Sequence, residues 1–511
     1  MTARLTRREA LAGVLAGSAL IAAGCGSSSR PTPAADGSTL RSTYVDPFGT
    51  GVLRTGSGEP LRARAELGVP AAATGTLAAI AHVTDAHVLD AESPARVTFL
   101  DRLGPPFQST FRPQETLTAQ VLAGALLAVE HLSPDAIIQG GDLIDNDQAN
   151  ELALALGVLR GGRVRPGSGR PGYFGVQSPF NPDPFYYRPD LDAPRHPGLL
   201  RQASRPFLAR GSRAPWYPVL GDHDILVAGE VTPTGQTRSL ALGHEAVWDL
   251  PPGLTLPPGL ALSGRPGGLG GEGGISPDGP PSPGLVETFL AQALRAPKVR
   301  VPPDRARREL DAGPAVSALA QASHGSARRG RLDYAADLGD HLRIVVLDLA
   351  RRGGGSGGLV HPDQPGWLAA QLAAAGRRWI LVVSHQPLTG SEGGEQLLSL
   401  LDRHPRVIAA LFGHIHRNQI LPRHTPAGGY WLIGTASLVD YPQQARALRV
   451  LSTAGGGVAI ETWMLDHVFP GELGTISRQL AYLDAQGGRP QGLRGGRLDR
   501  NVVLYRGPSP A

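Results

Sequence analysis

The sequence predicts an α/β fold on a mixed or parallel sheet, and three features carry that prediction. Short apolar runs of four to eight residues, rich in Val, Ile and Leu, recur along the chain and suit strands buried on both faces. Stretches with helical spacing of Leu and Ala lie between some of them, as crossovers between parallel strands require. Several runs end in polar clusters of one kind, Asp and His beside Gly.

The runs are Leu77–Val83, Ala136–Gln139, Trp216–Leu220, Leu342–Leu347, Trp379–Val383 and Val407–Phe412. Each is bounded by Gly, Asp, His or Pro. Thr116–His131 and Gln364–Ala375 read as helices. Tyr430–Ile433, Leu448–Leu451 and Val458–Met464 add later strands, and Ile476–Leu483 reads as a closing helix. Residues 25–75 have weak periodicity and read as a linker, with order expected to begin near Leu77. The domain proper is expected over 76–470, followed by a helix and tail over 471–511. Two insertions interrupt it, at 161–214 and 251–335. In 251–284, 20 of 34 residues are Gly or Pro, so packed secondary structure is excluded there.

Composition narrows the class. The chain has 511 residues, 41% of them hydrophobic, enough for one large core or two small ones. A single Cys excludes a disulfide scaffold. Net charge is +5, and Lys298 is the one Lys among 49 basic residues. There is no basic run long enough for a nucleic-acid footprint, so no nucleic-acid partner is expected.

Arg4, Arg7 and Arg8 precede an apolar run, Ala10 to Ala23, that is too short for a membrane span of roughly 20 residues. Residues 1–24 read as an export signal. Thr6-Arg7-Arg8-Glu9-Ala10-Leu11 resembles a twin-arginine signal. Ile21-Ala22-Ala23-Gly24-Cys25 resembles a lipoprotein cleavage site, although Ala22 stands where Leu is usual. Two outcomes follow: a lipid anchor at Cys25 that ties the chain to the membrane, or cleavage after small residues that leaves a free thiol. Either places the protein outside the cytoplasm.

Five runs end in chemistry: Thr84-Asp85-Ala86-His87, Gly140-Gly141-Asp142-Leu143-Ile144-Asp145-Asn146, Gly221-Asp222-His223-Asp224, Ser384-His385-Gln386 and Gly413-His414-Ile415-His416. Ligands of open α/β sheets bind at the C-terminal strand edge, so these ends should meet in one crevice. Asp85, His87, Asp142, Asp222, His385, His414 and His416 are imidazoles and carboxylates that suit two transition metals. A D-x-H or H-x-H tripeptide on extended backbone would aim alternate side chains at one ion. Gly before Asp142, Asp222 and His414 permits close backbone approach.

In this order over residues 85–416 the set resembles the calcineurin-like metallophosphoesterases, whose pattern is D-x-H, G-D-x-x-D/N, G-N-H-D/E, a lone H and G-H-x-H. Thr84 to Asp90 and Phe111-Arg112-Pro113-Gln114-Glu115 further suggest an exported, actinobacterial-type branch. The resemblance implies a four-layer α/β/β/α sandwich and a centre of two divalent or trivalent ions, Mn, Fe or Zn. It implies that Asp85, His87 and His416 hold the first, that Asp142 bridges, and that Asp222, His385 and His414 hold the second. A bridging hydroxide would attack the phosphorus of a small phosphomonoester or phosphodiester. His223 would be the general acid or stabilise the phosphoryl oxygens, oriented by Asp145 or, as second candidate, Asp224.

The chain departs from the family at Asp222, where Asn is usual. The extra carboxylate lowers the formal charge of a site loaded with two divalent ions from +2 to +1. Tighter second-metal binding and weaker attraction for a phosphate dianion are expected. Asn146 stands where phosphoprotein phosphatases of the superfamily carry Arg, which speaks against that activity. Two other functions stay in play: a non-catalytic, metal- or phosphate-binding envelope lipoprotein, and a nucleotide or cyclic-nucleotide phosphodiesterase. His82 reads as a satisfied core residue, and His131, His404 and His424 as surface residues. Arg96 and Arg417 bind phosphate or make salt bridges, and Glu115 starts a helix. Six aromatics in 173–187 form either a lid over the leaving group or the insertion's own small core. Oligomeric state leaves no mark in the sequence.

Overall fold

The computed structural model describes residues 35–103, 109–250, 291–293, 295–487 and 493–508. The expected export signal, Cys25 and the Gly/Pro-rich stretch 251–284 lie outside the described residues.

Two large sheets dominate. The first has seven strands: β1 (Arg62–Leu67), β2 (Ala73–Val83), β3 (Ala136–Gln139), β4 (Trp216–Pro218), and, late in the chain, Gln444–Thr453, Val458–Asp466 and Val502–Arg506. The second has six: β5 (Tyr334–Leu338), β6 (Leu342–Leu347), β7 (Trp379–Ser384), β8 (Val407–Phe412), β9 (Gln419–Arg423) and β10 (Tyr430–Gly434). The three late strands are β11, β12 and β13 in chain order. Spatial order is β1-β13-β12-β11-β2-β3-β4 in one sheet and β5-β6-β7-β8-β10-β9 in the other. Strands β2, β3 and β4 run parallel, as do β6, β7, β8 and β10. The mixed character comes from antiparallel β11 and β12 and from antiparallel β5 and β9.

The side-chain period of two divides the second sheet between two cores. Ile344, Val346, Leu381, Val383, Leu411 and Ile433 face the first sheet and share one core with Ile80, Ile137, Leu448 and Val450. Val345, Leu347, Ile380, Val382 and Val407 face outward onto Leu368, Leu372, Leu397 and Leu401 of helices α3 (Gln364–Ala374) and α4 (Gly394–Asp402). On the far side of the first sheet, α1 (Thr118–Glu130) lies over β11 and β12. Helices α2 (Ala149–Arg160) and α5 (Glu472–Gln486) lie beside it. The layers are α/β/β/α. Pro365 near the start of α3 is pre-organised for helix entry. Among the described residues no helix is long and apolar enough to cross a membrane.

The expected linker is wrong in its outer part. Ser42–Val45 pairs with Arg54–Ser57, and β1 adds the edge of the first sheet beside β13. The expected C-terminal tail supplies β13 itself. The second insertion is structured in its latter part: Lys298–Arg300 pairs with Glu245–Val247, a helix spans Ala312–Ala322, and β5 begins at Tyr334. From the first insertion Val176, Phe185 and Tyr186 join Phe111, Trp248 and Val299, which lie outside it, in a small core. Tyr186 meets Phe111 edge-on at 4.9 Å and Phe185 at 5.3 Å. Two of the six aromatics, Phe185 and Tyr186, thus pack into a core that the insertion shares with the rest of the chain, while Phe180, 93% exposed, points outward.

Candidate metal centre

The C-terminal ends of β2, β3, β4, β7 and β8 converge, and each delivers the residues that follow it. Asp85, His87, Asp142 and His416 form one group, and Asp142, Asp222, His385 and His414 a second. In each, one ligand atom per residue lies within 4.8 Å of the others. Asp142 belongs to both. In the first, His416 Nε2 is 3.2 Å from Asp85 Oδ1, and His87 Nε2 is 3.6 Å from Asp142 Oδ2. In the second, Asp222 Oδ1 lies 3.3 Å from both His385 Nε2 and His414 Nδ1.

The backbone does this differently from the extended tripeptide expected. Asp85, His87, Asp142, His414 and His416 all have positive φ, between 42° and 63°. Each left-handed residue costs about 1–3 kcal/mol, so the surroundings must hold it. They do so by main-chain bonds: Asp85 N–H to Gly141 C=O at 3.1 Å, His87 N–H to Asp142 C=O at 3.1 Å. The glycines matter for proximity. A Cβ on Gly141, whose φ is +97°, would lie 2.3 Å from His385 Nδ1, and one on Gly221 would lie 2.1 Å from Asp142 Oδ1.

The residues present fit metal ions. His385 Nε2 is buried and makes no hydrogen bond, although carboxylate oxygens of Asp142 and Asp222 lie 3.2 and 3.3 Å away. It is aimed at the common centre and not at a partner. The opposite ring nitrogens are pinned: His87 Nδ1 on Asp145 Oδ1 (2.9 Å), His416 Nδ1 on Asp440 Oδ2 (2.6 Å), His385 Nδ1 on Gly140 C=O (2.9 Å). Such bonds fix the tautomer and turn the free lone pair inward. Burial alone would raise the Asp85, Asp142 and Asp222 carboxyls, but the surrounding histidines hold all three below the usual range. The carboxylates in turn overcome the effect of burial on His385 and His416, the latter pushed up to about 10.

His223 stands beside both groups, its ring 4.5 Å from that of His87. Its Nδ1–H donates to the backbone C=O of Asp145 at 2.6 Å. Here the expected roles need correction. The Asp145 carboxylate lies 3.9 Å from His223 Nδ1 and is taken by His87, so Asp145 orients His223 through its carbonyl. Asp224 does not face His223 at all. Its carboxylate accepts the N–H groups of Leu143, Ile144 and Gly221 and ties the loop after β3 to the loop after β4. Burial lowers the His223 imidazole, but Asp142, Asp222 and Asp145 bring it above its ordinary value.

Three supporting residues escaped the sequence reading. Asp440 backs His416, Arg112 backs Asp440 with Nε 2.5 Å from Oδ1, and Gln386 Nε2 donates to Asp222 Oδ1 at 3.0 Å. Asp440 lies 328 residues from Arg112, and no local pattern marks it. Arg112 carried a signal, because it sits in the 111–115 segment that stood out. Arg96 makes the salt bridge, to Glu115 at 2.5 Å, and Glu115 opens the turn Glu115–Leu117. His82 is a core residue whose Nδ1 meets Thr435 Oγ1 at 2.9 Å, and burial brings it to about 3. His131 and His424 are exposed and His404 half-buried.

No family model matches the chain. A probable cyclic nucleotide phosphodiesterase of Synechococcus sp. (strain WH7803) is 34% identical over 88 residues, 15% of this chain and 33% of that protein. The chain thus matches about a third of that relative's length. Among solved structures, a dimetal phosphatase from Danio rerio is 12% identical and aligns over 77% of this chain and 99% of its own, at a TM-score of 0.37. A purple acid phosphatase from yellow lupin seeds is 10% identical over 81% of this chain and 54% of its own, at a TM-score of 0.31.

Proposed function

We propose that the chain is a two-metal phosphoric ester hydrolase, exported from the cytoplasm, acting on small phosphomonoesters or phosphodiesters. One observation carries the reading: two four-donor groups share Asp142, and His223 lies beside them, its ring 4.5 Å from that of His87 and its backbone N–H donating to Asp142 Oδ1 at 3.0 Å. Asp85, His87, Asp142 and His416 would hold one ion; Asp142, Asp222, His385 and His414 the other. Bound ions supply Lewis acidity toward phosphoryl oxygens and lower the pKa of water. The protein's own part is orientation and a proton. With Nδ1–H fixed on the Asp145 carbonyl, His223 keeps Nε2 for the substrate, and the nearby carboxylates favour its protonated form. That suits donation to the leaving oxygen. Arg7, Arg8 and the apolar run before Cys25 support export, with Cys25 as a lipid anchor.

The test is hydrolysis of p-nitrophenyl phosphate, bis-p-nitrophenyl phosphate and a cyclic nucleotide, with metal content measured on the same sample. The cyclic nucleotide is included because of the name of the Synechococcus relative. Metal-dependent turnover is expected. Asp142→Ala should lose metal and turnover together. His223→Ala should keep metal and lose about 10²–10⁴-fold in kcat. Two bound ions without turnover on any ester would replace the hydrolase by a binding protein. Cell fractionation tests export, and an Arg7→Lys, Arg8→Lys variant exported like the parent would remove the twin-arginine route.

A further inference from the structure

We propose that Arg112–Glu115 is a positioning frame for the first donor group, and that Arg112 and Asp440 are its principal positioning residues. The inference rests on the reading of that group as metal ligands.

The frame reaches three of the four residues of the group, His416 and Asp85 through one intermediary each and His87 through two. Arg112 grips Asp440 with a fork, Nε to Oδ1 at 2.5 Å and a terminal nitrogen to Oδ2 at 3.3 Å, and both side chains are buried. Asp440 Oδ2 accepts from His416 Nδ1 at 2.6 Å. Gln114 Nε2 donates to the Val439 carbonyl at 3.0 Å, and the Leu438 and Val439 N–H groups each donate to the Asp85 carbonyl at 3.1 Å. Those two bonds help hold Asp85 at its positive φ of 51°. Glu115 accepts from Arg96, and Arg96 lies 3.7 Å from Asp145 Oδ2, whose other oxygen fixes His87.

The second group is supported from elsewhere and by neutral partners: the Gly140 carbonyl behind His385 and the Gln386 amide on Asp222. The first group thus has carboxylates behind both its imidazoles. A carboxylate behind a ligating imidazole raises its basicity and fixes its orientation, and its loss typically costs 10–100-fold in metal affinity. Buried carboxylates need cations, and Arg112 and Arg96 supply them. Without Arg112, Asp440 becomes an uncompensated buried charge and His416 loses its stop. Neither residue belongs to either donor group.

The experiment is calorimetric titration of the full chain, freed of metal, with Co²⁺, together with the visible spectrum of the Co²⁺-loaded protein. Arg112→Gln and Asp440→Asn should each weaken one of the two binding steps about 10–100-fold and change the spectrum of that ion. The other step should stay within about threefold. Arg112→Lys should recover part of the loss, because it restores the charge without the fork. Gln386→Leu should weaken the opposite step. Both steps unchanged, or both weakened alike, would overturn the frame. Asp440→Asn is nearly isosteric, so it tests the frame even if Arg112→Gln does not fold. A parent chain that binds no Co²⁺ would sink the metal reading itself, and the frame with it.

Discussion

Asp222 shows what a single carboxylate does among histidines. Its Oδ1 lies 3.3 Å from His385 Nε2 and from His414 Nδ1, and Gln386 donates to the same oxygen at 3.0 Å. The carboxylate accepts the Gln386 amide, while His385 Nε2, which makes no hydrogen bond, turns toward the same centre. An Asn oxygen there would serve as well for geometry but without the charge. Asp222→Asn should therefore weaken the second Co²⁺ step about tenfold while leaving the fold intact. It should also lower KM for a phosphomonoester dianion, because the loaded site gains one positive charge. Equal metal affinity and equal KM in the two proteins would refute the charge argument. Asp145 and Asp224 teach the converse lesson: residue type and spacing place an Asp near a His, but the hydrogen bonds decide which group it serves.

At the scale of elements, legibility followed burial. Strand β8 was readable to its ends because it is buried throughout and continuously apolar, and β3 and β6 were readable because each is apolar but for one residue, Gln139 and Arg343. The edge strands were not. β1 reads Arg-Ala-Arg-Ala-Glu-Leu and is mostly exposed, and β9 carries Pro422 and Arg423 at the other sheet's edge. Their pairing is set by neighbours far away in sequence, as for β13 between β12 and β1. The candidate donors were legible because each follows a strand end. Asp440 was not, because it acts across the fold. The C-terminal segment makes a prediction of its own. Arg446 is fully buried, no carboxylate among the described residues bonds to it, and the Asp499 and Arg500 carbonyls are among its acceptors, at 2.9 and 3.4 Å. β13 also covers the edge of β12. A chain ending at Gly487 should melt at lower temperature and associate through the bare β12 edge, as seen by circular dichroism and gel filtration. A monomer with the parent's melting point would show that β13 is dispensable.

The stability of the whole molecule should depend on pH from two opposed sets of buried carboxyls. Arg112 and His416 overcome burial to hold Asp440 below the ordinary Asp range, so its contribution is lost as pH falls through acid values. Glu92 works the other way. Burial, reinforced by Asp90, pushes it up to about 8, whereas in the unfolded chain it titrates near 4.5. Between those values the folded state holds a proton that the unfolded state has released. Unfolding then releases a proton, so stability falls as pH rises from about 4.5 to about 8 and levels off above that. Glu309, pushed up to about 7 by burial, adds to the same slope. Glu92→Gln removes the Glu92 share. Any constant packing cost of the amide, and any pH dependence from metal binding, is common to all pH values or to both proteins. The melting-point difference, variant minus parent, should accordingly become more positive from pH 5 to pH 8.5. A difference that stays flat across that range would mean that Glu92 is ionised in the folded protein at pH 7, with Arg307 compensating it.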